Sequence, residues 1–136
     1  MDRIKLAFDE AGKAIPRHIT KALVGSTYVR DGNDSDIDIL VLVRKFEELP
    51  LPWTEGGSGG SAGGGFRSWK MEKDGETINV LQVDSLEYYI SWKQAAEVCR
   101  FLYLRGFTVP TAVVHGIHGI IMDAASAEEE DLYRPR

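Results

Sequence analysis

A chain of 136 residues, 43% hydrophobic and 27% charged, has the composition of one soluble globular domain with a small core. Its formal net charge of −5, with no basic stripe, excludes a general grip on nucleic-acid backbones. A lone cysteine, Cys99, excludes an internal disulfide or a cysteine-based zinc site and reads as a small core hydrophobe.

Met1 to Leu6 lacks the apolar core of a signal peptide, and no run reaches the ~18 apolar residues that span a membrane, so a cytoplasmic location and no membrane partner are expected. Ile4, Ala7, Phe8, Ala11 and Ile15 recur at steps of three and four. This predicts an amphipathic helix over 2–14, stopped by Pro16. Ile19 to Val24 is a β-prone run closed by Gly25-Ser26. Residues 27–35 read as a turn-rich connection with Asp31-Gly32-Asn33-Asp34 at its tip. Ile37 to Val43 is apolar on both faces and reads as a central strand.

The stretch 56–65, Gly-Gly-Ser-Gly-Gly-Ser-Ala-Gly-Gly-Gly, reads as a flexible loop, natural, trimmed or an engineered replacement. It lacks the Lys-Ser/Thr ending of a P-loop. Asp74-Gly75 between two β-prone runs, 66–73 and 76–83, predicts a hairpin. Asp84 with Glu87 reads as a capping box that opens a helix over 85–104. Leu86, Tyr89, Ile90, Ala96, Cys99, Phe101 and Leu102 supply its expected apolar surface, and Gly106 its stop. Thr108 and Pro110 begin a last helix through Ile121. The domain is expected over 1–123, with 124–136 as an acidic, mobile tail containing Glu128-Glu129-Glu130-Asp131. Strands cluster before the closing helices, which predicts an α+β domain: one small mixed sheet with helices packed on one side.

Asp36 and Asp38 are two apart at the start of the strand at Ile37, so their carboxylates project from one face. Such a pair is costly unless a cation sits between them. A divalent ion is therefore expected there, with Gly25-Ser26 ten residues upstream as an anion cradle.

Gly25-Ser26, a ten-residue step and Asp36-Ile37-Asp38-Ile39, each motif beside an apolar strand, resemble the signature of the DNA polymerase β-like nucleotidyltransferase superfamily, in its minimal single-domain form. The resemblance covers residues 19–43. It implies the nucleotidyltransferase fold and transfer of a nucleoside monophosphate from an NTP to a hydroxyl on a protein, RNA or small molecule. Gly25 would let the backbone approach the triphosphate, and Ser26 would donate to phosphate oxygens. Asp36 and Asp38 would be the catalytic carboxylates that hold Mg²⁺ or Mn²⁺. Active members carry a third carboxylate, and Asn79 stands at that position here. It can offer a carbonyl oxygen to the metal but no charge. Asp84, five residues on, is a weaker substitute. Arg30 can either reach a phosphate or stay solvated.

The stretch from Asn79-Val80-Leu81 through Ala95-Ala96-Glu97-Val98-Cys99 is also similar to nucleotidyltransferase-like proteins of bacteriophages. That resemblance implies an alternative: an impaired module of phage or toxin–antitoxin type that binds nucleotide or a host protein. Elsewhere the plainer readings lead. His115 and His118 share a helix face but show no third ligand, and Trp53, Trp69 and Trp92 are alternatives for base stacking that nothing in the sequence separates.

Overall fold

The computed structural model describes residues 2–32, 36–61 and 64–133. Helix α1, Arg3–Ala14, begins where the Asp2 carboxylate accepts from the Ile4 amide at 2.9 Å, satisfying one of the first turn's free donors. Strand β1, Thr20–Val24, leads into a short helix α2, Gly25–Arg30. Strand β2 is Ile37–Leu42, β3 Thr54–Ser61, β4 Gly64–Lys73 and β5 Glu76–Val83. Two helices close the chain, α3 at Leu86–Leu104 and α4 at Thr111–Tyr133.

The strands form one mixed sheet in the order β1-β2-β5-β4-β3. Only the central pair β2–β5 is parallel; the outer pairings are antiparallel. This is the expected α+β class; β2 is an interior strand beside the edge strand β1, with β5 at the middle of the sheet, and its Ile37, Ile39, Leu40 and Val41 are all fully buried. The alternation of side chains sends Ile37, Ile39 and Val41 to a core with Ala7, Ala11 and Ile15 of the α1 segment. Leu40 and Leu42 face a second core with Val29, Tyr89, Cys99 and Val114. The expectation that all helices lie on one side is corrected: α2, α3 and α4 cover one face and α1 the other, because β2 is apolar on both faces and each must be covered. Cys99 is a core residue, and burial pushes its thiol upward.

Several local expectations are corrected. The Gly-rich stretch is not a loop: its described residues belong to β3 and β4, which pair as an edge hairpin. The Ser68 hydroxyl accepts from the Gly57 amide at 2.7 Å and donates to its carbonyl at 3.1 Å. Arg67 and Glu55 add a two-pronged ion pair across the strands. Pairing supplies the order that glycine does not supply itself. The turn-rich connection after Ser26 begins instead as α2, ended by Asp31 at φ 50°; Asn33 to Ser35 of that connection, including the second half of its predicted tip, lie outside the described residues. Ser85, not Asp84, caps α3: its hydroxyl accepts from the Tyr88 amide. Asp84 accepts from the Gly65 amide at 2.9 Å. On α3, Leu86, Ile90 and Phe101 face solvent, whereas Tyr88, Ser91 and Ala95 are buried. The backbone over 124–133 is helical and continues α4. The Asp74-Gly75 hairpin is as expected, both residues at positive φ (53° and 77°), which a two-residue turn of this hand requires.

Candidate active site

The row of residues that crosses the sheet at Asp38 defines the site. Asp38 pairs with Val24 on β1 and with Asn79 on β5; Asn79 in turn pairs with Lys70 on β4. Partners in register share a face, so these side chains all project toward α2–α4. They line one cavity of about 370 Å³ together with Gly25, Ser26, Arg30, Trp92 and His115.

Of the two carboxylates, Asp38 lines this cavity and Asp36 stands beside it. The Asn79 amide nitrogen donates to Asp36 at 3.1 Å and to Asp38 at 2.9 Å. One neutral side chain therefore bridges the pair that the sequence reading assigned to a metal. Burial raises the Asp38 pKa most strongly, the Asn79 hydrogen bond opposes this, and the Asp36 charge raises it further. A cation beside Asp38 would offset both of the causes that raise its pKa. Among the described residues no three His, Cys, Asp or Glu side chains converge, so a third ligand from the chain would be the Asn79 carbonyl oxygen. Two carboxylates plus an amide oxygen suit Mg²⁺, which keeps waters and substrate oxygens in its remaining positions.

Gly25 is indispensable for a reason the sequence did not disclose. A Cβ placed there would lie 1.9 Å from the Asp38 Oδ2, and its φ of +74° is left-handed. The glycine lets a carboxylate pack directly against the backbone that leads into Ser26. Thr27 fixes the same corner: its hydroxyl donates to the Asp36 carbonyl at 3.0 Å. Arg100 donates to the Tyr28 carbonyl and to Asp31, tying α2 to α3.

Of the other predicted residues, Arg30 lines the cavity, but its guanidinium donates to the Val109 carbonyl; its present role is to hold α2 against the α3–α4 connection. Asp84 lies beyond the end of β5, away from the carboxylate pair, where it accepts from the Gly65 amide. Trp53 and Trp69 are core residues, whereas Trp92 is half-buried at the cavity. His118 packs edge-on against Trp92 at 4.4 Å and Tyr88 at 4.9 Å, and His115 lies against Trp92 at 5.4 Å. Their face is an aromatic packing cluster, and burial holds the His118 pKa below the ordinary histidine value. Lys70 was not singled out from sequence; its signal is its register with Asn79, visible only once β4 and β5 are paired.

No helix among the described residues is long and apolar enough to cross a membrane. No protein-family model matches the chain, and neither a curated protein nor a solved structure matches it.

Proposed function

We propose that the protein is a metal-dependent nucleotidyltransferase of the polymerase β-like type, which transfers a nucleoside monophosphate from an NTP to a hydroxyl acceptor. One observation carries the reading: Asp38 packs on the Cα of Gly25, so Asp38 and Ser26 line one cavity, with Asp36 joined to Asp38 through the Asn79 amide. In the reaction the acceptor oxygen bonds to the α-phosphorus and the bridging α–β P–O bond breaks. Pyrophosphate leaves with that electron pair, and the hydroxyl proton passes to water. When bound, Mg²⁺ or Mn²⁺ supplies charge stabilisation at the phosphates. Asp36 and Asp38 would hold the ion, and the Asn79 carbonyl oxygen would be an auxiliary ligand if its amide, which donates to both carboxylates in the structure, were reversed. Ser26 donates to phosphate oxygens, and Trp92 offers a ring face to the base. The acceptor is a protein, RNA or small-molecule hydroxyl.

A second reading is favoured by the Asn79 amide, a neutral bridge at the position of a third carboxylate. In it the fold serves as a module that binds nucleotide or a host protein without turnover, as a phage or toxin–antitoxin component would. Incubation with labelled ATP, GTP, CTP and UTP, Mg²⁺ or Mn²⁺ and a cell lysate separates the two. Label on a specific acceptor supports transfer; tight nucleotide binding with no labelled product supports the module. For both nucleotide-binding forms, Asp36→Ala is expected to abolish metal-dependent NTP binding in calorimetry, and unchanged binding would sink the site assignment.

A further inference from the structure

Lys70 and Asn79 are direct partners across the antiparallel pair β4–β5, and Asn79 and Asp38 are partners across β2–β5. All three line the cavity. Side chains so paired on antiparallel strands have Cβ atoms about 5 Å apart, within reach of a lysine stem. Lys70 is exposed and makes no ion pair among the described residues. Arg30, the other cation on the cavity wall, is already engaged by the Val109 carbonyl.

The charges at this end of the cavity are therefore unlike those of a two-ion site. Asp36 and Asp38 supply two negative charges, which one divalent ion balances. Asn79 adds none, and the position beside it carries an ammonium. A second divalent ion at Asn79 would lack a carboxylate of its own and would face Lys70 at short range, where like charges repel strongly. The phosphates of a bound nucleotide would meet the ammonium instead, which donates charge-assisted hydrogen bonds to phosphate oxygens.

Building on the nucleotide reading above, we propose that this site takes one divalent ion per nucleotide, and that the Lys70 ammonium, binding β- or γ-phosphate oxygens, supplies the positive charge that a second ion would otherwise bring. Asn79 and Lys70 act as a matched pair: the loss of the acidic ligand removes the second ion's anchor, and the lysine replaces its charge.

The experiment uses the intact protein, α,β-methylene analogues of the four nucleoside triphosphates, and Mn²⁺ counted by electron paramagnetic resonance. The expected result is one Mn²⁺ per bound nucleotide. Lys70→Gln should weaken nucleotide binding about tenfold without weakening nucleotide-free Mn²⁺ binding or changing the circular dichroism spectrum, and Lys70→Arg should retain most of the binding. The double variant Lys70→Gln with Asn79→Asp should gain a second Mn²⁺ in the presence of nucleotide. Two Mn²⁺ per nucleotide in the wild type, or unaltered nucleotide affinity in Lys70→Gln, would overturn the single-ion assignment. Failure of the wild type to bind any of the four analogues would instead overturn the nucleotide reading on which it rests.

Discussion

Strand β5 carries two amide side chains, Asn79 and Gln82, that point to opposite faces of the sheet and have opposite fates. Gln82 is fully buried on the α1 side. It donates to the Glu47 carbonyl at 2.8 Å and accepts from the Glu47 amide at 3.0 Å. That reciprocal pair is closed: each polar atom has a protein partner, and the product is a fixed loop between β2 and β3. Asn79 is only partly buried, and its nitrogen is spent on two carboxylates while its carbonyl oxygen accepts no hydrogen bond among the described residues. The same functional group is scaffold where its bonding is complete and candidate site where it is not. A buried polar group must be satisfied by the fold; one at a cavity can be left for a ligand.

The largest effect is expected at Gly25, where the two roles coincide. Gly25→Ala forces a side chain into left-handed backbone, at about 1–2 kcal/mol, and drives its Cβ into the Asp38 carboxylate. Both melting temperature and metal-dependent nucleotide affinity should fall. A variant that melts lower but binds normally would break the link between Gly25 and the carboxylate pair.

Gln82→Leu should act on the scaffold alone. It strips both Glu47 backbone groups of their partner and should cost about 2 kcal/mol, measured by denaturant unfolding, with nucleotide affinity unchanged. Asn79→Asp should do the reverse. It removes the bridging donor and adds a third negative charge. Stability in the presence of a chelator should fall by about 1 kcal/mol, and Mn²⁺ should then raise the melting temperature by more than it does in the wild type. An equal response of both proteins to Mn²⁺ would mean that position 79 does not face the ion.

The difference between the two amides also marks what the sequence could disclose. Asp36 and Asp38 were legible because their spacing of two fixes a shared face once the strand is recognised, and Asp74-Gly75 because few residues tolerate its dihedral angles. Gly25 was legible as a motif but not in its packing role, since contact with Asp38 depends on how α2 meets β2. The strands in the described residues of 56–65 were not legible because glycine lacks any intrinsic preference for a strand; their order comes from Ser68 and Arg67 on the neighbouring strand. Asp84 and Ser85 are adjacent and both good caps, so only the backbone path decides between them. Lys70 is an ordinary exposed lysine in sequence, and the pairing of β4 with β5 is what sets it beside Asn79.

The smallest effect belongs to the scaffold face and separates it from the site by pH. Glu10 on α1 accepts from Lys73 on β4 at 2.7 Å, and this bond, ahead of the smaller opposing cost of burial, holds the Glu10 pKa below the ordinary glutamate value. A carboxylate with a depressed pKa stabilises the fold above its unfolded-state pKa, and that stabilisation disappears as pH falls through the lower, folded value. Lys73→Met leaves Glu10 with the weaker contact to Lys13 at 3.5 Å. The variant should therefore melt below the wild type at about pH 7 and approach it as pH falls through the depressed, folded-state pKa of Glu10. A gap in melting temperature that stays constant across that range would mean that Lys73 contributes through the packing of its aliphatic stem and not through its charge. Nucleotide affinity should not change in this variant at neutral pH, because Glu10 and Lys73 lie on the face of the sheet that carries Gln82, opposite Asp36, Asp38 and Asn79.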